Sequence, residues 1–150
     1  MKERIRGAVK HAKDINEVKI SVLSVLKELK NEGAQRIGYV AGLVTSEGPE
    51  NIDKNVRRLA KFTEHIRTQN DFPIFSSTDV ISDELFERLG LEEFQKTDWE
   101  KFWRDILGAE ERFVTDIFMT PRWEASRGSR DEHKVAKEVG MQIHYLKEEI

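Results

Sequence analysis

The chain has 150 residues, 35% of them charged and 38% hydrophobic, and a formal net charge of −3. That length suits one domain with a lean core, and its interspersed acids and bases argue against a polybasic nucleic-acid face or a membrane-surface patch. With no cysteine in the sequence, disulfides, thiolate metal sites and cysteine nucleophiles are excluded.

At the amino end, Met1-Lys-Glu-Arg4 has no apolar stretch behind it, so no signal peptide is expected. No run anywhere nears the roughly 18 apolar residues that span a bilayer, and a cytoplasmic protein without a membrane partner is expected. Residues 1–34 read as a helical extension. Asp14-x-x-Glu17 has the pattern of a capping box, Ile15, Val18, Val22, Val25, Leu26 and Leu29 recur at helical spacing, and Gly33 supplies a stop. From residue 35 to 150 the pattern changes to strands alternating with helices. Ile37–Val44 reads as a buried strand, followed by a loop over Thr45–Glu50 and a helix with Ile52, Val56, Leu59, Phe62 and Ile66 on one face. Phe72–Phe75 is a second strand, and residues 83–89 form a short helix stopped by Gly90. Thr97-x-x-Glu100 predicts a capping box opening a helix that contains Trp99, Phe102, Trp103, Ile106 and Leu107. Phe113–Thr120 is a third strand, Ser129–Val139 a helix closed by Gly140, and Met141–Leu146 a last strand. This alternation implies a parallel sheet covered on both faces, with ligands at the carboxyl ends of the strands. Two loops lie there: the one after Gly42 and the one after Thr120.

The second loop concentrates chemistry. It leaves a buried strand and enters a helix, so free backbone N–H groups face the crevice. Gly128 permits close approach, Ser126 adds a hydroxyl, and Arg122, Arg127 and Arg130 add positive charge. Together they suit an anion, most simply a phosphate. Each feature has a plainer reading beside this one. Ser129-x-x-Glu132 is itself a capping box, so Glu132 either ties down its own helix start or faces the crevice as a functional carboxylate. Loop arginines are commonly solvated. Trp123 either stacks on a ligand ring or covers the end of the sheet.

The stretch Pro121-Arg-Trp-Glu-Ala-Ser-Arg-Gly-Ser-Arg-Asp-Glu-His-Lys-Val-Ala136 resembles the signature of the nucleoside 2-deoxyribosyltransferase-like superfamily. Its members include transferases, 2′-deoxynucleoside 5′-monophosphate N-glycosidases, and a group with the pattern Pro-Gly-Trp-Glu-x-Ser-x-Gly-Ala-x-x-Glu, to which the match is closest. The spacing Ser126-x-Gly128-x-x-x-Glu132 equals that of the monophosphate hydrolases. Tyr39-Val-Ala-Gly42 is similar to the family's Tyr-x-x-Gly, and Trp103-Arg-Asp-Ile106 to its Arg-Asp-Leu segment. The resemblance runs over residues 36–146. The segment between Asp105 and Glu132 is slightly longer than in the family pattern, and Asp131 stands where an apolar residue is usual.

What the resemblance implies is a flavodoxin-like α/β fold: three layers around a parallel sheet of four to five strands, here with an N-terminal helical extension. It implies an N-glycosidic bond hydrolase or transferase acting on a (deoxy)nucleoside 5′-monophosphate or a nucleoside. Glu132 would be the nucleophile, Asp105 would assist the base or water, and Tyr39 would orient Glu132. Gly42, Trp123, Ser126, Arg127, Gly128 and Arg130 would bind substrate. A helix N-terminus favours an ionised carboxylate, as a nucleophile requires. Asp116 is a rival for the second acid, though an Asp entering a buried strand also serves as a hydrogen-bonder. The alternatives are a non-catalytic nucleotide-binding module with Glu132 reduced to a cap, an NAD glycohydrolase-like enzyme, and a purely structural domain. His11, His65, His133 and His144 show no metal spacing, so neither metal nor cofactor is expected. The implied partners are a small-molecule nucleotide or nucleoside and further copies of the chain in a dimer or larger homo-oligomer, without nucleic acid.

Overall fold

A computed structural model describes residues 1–150. Four apolar runs pair as parallel strands: β1 (Gly38–Ala41), β2 (Ile74–Ser76), β3 (Asp116–Met119) and β4 (Gln142–Tyr145), in the order β2-β1-β3-β4. Tyr39 lies beside Phe75 and Ile117 in the ladder, and Phe118 beside His144. The ladders are shorter than the apolar runs that predict them. Ile37, Leu43, Phe113 and Val114 are buried but lie outside the strands, because burial continues where backbone pairing stops.

Alternation divides the sheet into two faces. Tyr39, Ala41, Phe75, Ile117 and Met119 face the larger core, which they share with the helices α1 (Lys2–Val9), α2 (Ile15–Asn31), α7 (Trp99–Leu107) and α8 (Arg127–Val139). Val40, Ile74 and Phe118 face the smaller one, with Leu59 and Ile66 of α3 (Ile52–Gln69). The crossover from β1 to β2 therefore runs on one face and that from β3 to β4 on the other. This is a doubly wound α/β, flavodoxin-like arrangement of three layers whose switch point lies between β1 and β3.

The N-terminal segment forms two helices that break around Ala12 and Asp14. Asp14 caps α2 by accepting from Glu17 N at 2.8 Å. Ile5, Val9, Val18, Val22, Val25 and Leu26 are buried in the same core as the sheet residues, so the α2 stripe packs on its own sheet. Three short helices follow β2: α4 (Ser77–Val80), α5 (Asp83–Leu89) and α6 (Leu91–Lys96). The spacing predicts only α5. α4 rests on a capping box between Ser76 and Asp79 that lacks an apolar period long enough to see. The cap of α7 is Asp98, which accepts from Lys101 N at 3.0 Å, and not the predicted Thr97. No helix is long and apolar enough to cross a membrane.

Gly42 ends β1 where the chain presses on β3. A Cβ there would collide with Thr120 Oγ1 and approach Leu59 Cδ1 to 3.1 Å, while Thr120 Oγ1 already donates to Ala41 O at 2.8 Å. Gly42→Ala is expected to cost about 1–3 kcal/mol through overpacking, read as a lower thermal midpoint. An unchanged midpoint would mean that the two strand ends have room to part. A Cβ at Gly42 would thus meet protein rather than open space.

Candidate active site

A hydrogen bond joins the two candidate segments. Tyr39 Oη donates to Glu132 Oε2 at 2.7 Å, joining residues 93 apart in the sequence. Tyr39 points into the larger core because its β1 neighbours alternate away from it. Its ring is held edge-on by Phe75 at 5.2 Å and tilted against Trp103 at 5.4 Å. Glu132 lies on the buried face of α8 with Ser129, Val135 and Ala136, and only 8% of it is exposed. Its second oxygen, Oε1, makes no hydrogen bond within the chain and is not fully buried.

The helix start differs from the predicted one. Ser126 is the cap of α8, its Oγ accepting from Ser129 N at 3.1 Å. Ser129 and Glu132 therefore do not form a capping box, and Glu132 sits in the second turn, beyond the reach of most of the helix-terminal charge. Burial consequently dominates its titration. It pushes the Glu132 carboxyl up to about 8, the Tyr39 hydrogen bond opposing and the neighbouring Asp131 charge adding to it. Tyr39 is raised as well, by burial and by Glu132. Burial thus favours the protonated form of Glu132 at neutral pH, whereas the Tyr39 hydrogen bond favours the ionised one.

The loop after β3 is a turn of 3-10 helix over Trp123–Ala125, entered through Arg122 in a left-handed backbone conformation (φ 67°). Trp123 stacks on the His133 ring at 4.3 Å, and His133 Nε2 lies 2.6 Å from Tyr145 Oη. Trp123 therefore ties the loop to α8 and the end of β4. The loop after β1 closes against it: Ser46 Oγ accepts from Arg127 N at 3.3 Å, and Glu47 pairs with Arg122 at 3.1 Å. Arg130 reaches back to Glu124 O at 2.6 Å, whereas Arg127 is 81% exposed in its side chain and holds Glu100 only at 3.4 Å. Gly128 has open space up to Ser126 Oγ at 3.9 Å, and Ser129 Oγ is buried with no partner. Gly128 and the Arg127 side chain are exposed, Ser126 is buried with its Oγ engaged as the helix cap, and Arg122 and Arg130 are engaged by the protein.

Asp105 is not in this cluster. Its carboxylate accepts from Lys19 Nζ at 2.7 Å and Lys101 Nζ at 2.8 Å, and these bonds hold it below the usual carboxylate range. The reason is helical phase: two residues place Asp105 about 200° around α7 from Trp103, so when Trp103 packs on Tyr39, Asp105 turns to α2. Asp116 is no substitute. It begins β3 on the opposite sheet face from Tyr39 and accepts from Arg36 Nη2 at 2.7 Å, Thr115 Oγ1 at 2.6 Å and His144 Nε2 at 2.8 Å. Asp131 is ion-paired with Arg104.

Trp103 and Arg104 are the site neighbours that residue patterns miss, although both stand in the segment that singled out Asp105. Asn55 and Arg58 are two more. From α3, Asn55 donates to Val44 O at 3.4 Å and Glu47 Oε1 at 2.9 Å, and Arg58 to Pro121 O at 2.8 Å, bracing both loops from behind. An Asn and an Arg in an amphipathic helix carry no sequence signal of that task. No group of three or more His, Asp or Glu stands where it could hold a metal ion.

Residues 95–145 match the family described as a domain of unknown function (DUF4406). The match covers about a third of the chain, taking in α7, α8 with Glu132, and β4, but not Tyr39. No curated protein and no solved structure matches the chain.

Proposed function

We propose that this protein cleaves or transfers the N-glycosidic bond of a (deoxy)nucleoside 5′-monophosphate or nucleoside, with Glu132 as nucleophile. The observation that carries this reading is the buried Tyr39–Glu132 hydrogen bond, which joins β1 to α8. It unites two motifs, Tyr-x-x-Gly and Ser-x-Gly-x-x-x-Glu, that resemble those of the nucleoside 2-deoxyribosyltransferase-like superfamily. Ionised Glu132 would attack through Oε1, forming the Oε1–C1′ bond as the C1′–N bond breaks. The electron pair passes to the base nitrogen, which takes a proton from water. Water or a second base then displaces the ester and returns the carboxylate. Tyr39 steadies the charge by its hydrogen bond, and Ser126, Gly128 and Arg127 would take the 5′-phosphate. The reading carries with it a cytoplasmic homo-oligomer that needs neither cofactor, metal, nucleic acid nor membrane.

One observation favours a second reading. A carboxyl with a titration point near 8 is mostly a neutral hydrogen-bond donor at pH 7, and with Asp105 committed to two lysines the same cleft would serve as a nucleotide-binding module. Incubation with a panel of nucleoside and deoxynucleoside monophosphates and free nucleosides, followed by chromatography of the free base, separates the two. The expected result is base release that rises toward about pH 8–9 as Glu132 ionises. It should survive Asp105→Asn within about threefold, since that carboxylate faces α2. Binding without base release across this range would leave the module standing and the enzyme refuted, and nicotinamide release from NAD alone would redirect the substrate.

A further inference from the structure

Two consecutive residues of α7 address two members of the site. Trp103 lies against the Tyr39 ring, and Arg104 reaches across to α8, where Nη2 pairs with Asp131 Oδ1 and Nη1 lies 3.5 Å from Glu138. Asp131 directly precedes Glu132 and its side chain is only 11% exposed, so solvent screens its charge poorly. Around Glu132 the charged or titratable groups are Tyr39 from β1 and Asp131 from its own helix, the latter answered by Arg104 from α7. On this face β3 presents apolar Ile117 and Met119. An unanswered Asp131 charge would oppose a second carboxylate beside it.

We propose that Arg104 is a positioning residue for this site: by holding Asp131 in an ion pair it offsets part of the charge next to Glu132 and so shifts the pH at which Glu132 becomes a carboxylate. The proposal deepens the nucleophile reading and rests on it for its functional meaning, while its physical content concerns the free protein. It also gives the Trp103-Arg-Asp segment a task that does not pass through Asp105.

The test follows the Glu132 carboxyl directly, by carbon-13 NMR of protein labelled at glutamate side-chain carboxyls, with the signal identified by its loss in Glu132→Gln. Arg104→Gln is expected to move the midpoint alkaline by roughly one pH unit, the size of one poorly screened like charge nearby. Arg104→Lys should keep the midpoint near that of the parent, Asp131→Asn should lower it, and the double change Arg104→Gln with Asp131→Asn should cancel the alkaline move. The pH profile of base release should shift in step. A folded Arg104→Gln protein with an unmoved midpoint overturns the proposal, as does a double variant that keeps the single variant's shift. Should Arg104→Gln alone fail to fold, the double variant is compared with Asp131→Asn: a higher midpoint in the double variant supports the proposal and an equal one overturns it. Because the titration needs no substrate, a shifted midpoint in a protein that releases no base would refute the glycosidase reading alone.

Discussion

Glu132→Gln is expected to lower base release by at least about a thousandfold and, at pH 8 and above, to make the protein more stable than its parent. The second effect follows from the same burial that defines the site. The Glu132 carboxyl titrates near 8 in the folded chain against an ordinary value of 4.5. Below about pH 4.5 it is neutral whether folded or unfolded, and contributes nothing to the difference. As pH rises from there toward 8, the unfolded chain sheds the proton while the folded chain keeps it, so stability falls, and above 8 the loss is complete. Its ceiling is on the order of 4–5 kcal/mol. Gln keeps the shape and can still accept the Tyr39 hydrogen bond, but has no charge to bury. Thermal unfolding of parent and variant from about pH 4.5 to 9 should therefore show midpoints that start together and separate in favour of the variant. Equal midpoints at high pH would mean that Glu132 sits in water, and normal turnover would end its assignment as nucleophile.

Asp116→Ala is expected to destabilise the fold by about 2–3 kcal/mol, with no direct effect on the proposed Glu132 chemistry. The Asp116 carboxylate is buried at the start of β3 and accepts from Arg36, Thr115 and His144. Burial raises its titration point, but the three hydrogen bonds outweigh that and hold it at about 2. Removing the carboxylate takes away the common acceptor of Arg36, Thr115 and His144, although the Arg36 and His144 side chains keep partial access to solvent. The sign with pH is opposite to that of Glu132. A depressed carboxylate stabilises the fold fully above its unfolded value near 4, and that contribution, roughly 2–3 kcal/mol, drains away as pH falls toward 2. Urea unfolding at neutral pH and at pH 3 measures both. A cost below about 1 kcal/mol at neutral pH would show the cluster to be a surface ion pair of little consequence.

Glu132 and Asp116 are both acidic residues in or beside predicted apolar elements, and local pattern does not tell them apart. The sheet does. Alternation along the strands puts Tyr39 and Asp116 on opposite faces, so the first meets α8 and the second meets Arg36 and His144. Asp105 shows the same limit from the other side. Its segment is legible, and so is the helix that carries it, but whether it turns to Tyr39 or to Lys19 depends on which stripe of α7 packs inward. With Phe102, Ile106 and Leu107 in the core, that phase leaves Trp103 at the site edge and sends Asp105 to α2.

By itself the sequence determined a parallel α/β fold of four to five strands, the stripe of α2 that must be covered, and the two crevice loops, because these follow from apolar periodicity and turn residues, which act over a few neighbours. Ser126, Gly128 and Glu132 could be singled out for the same reason, as a local spacing. Tertiary structure alone decided that α2 covers its own sheet, that Ser126 rather than Ser129 caps α8, and that Arg104 answers the charge beside Glu132; the Tyr39–Glu132 hydrogen bond across 93 residues is one that only the family resemblance implies from the sequence. These depend on distances between elements remote in the chain, and so does the protonation of Glu132: it is set by how completely neighbours exclude water from the carboxyl, and residue order carries no record of that exclusion.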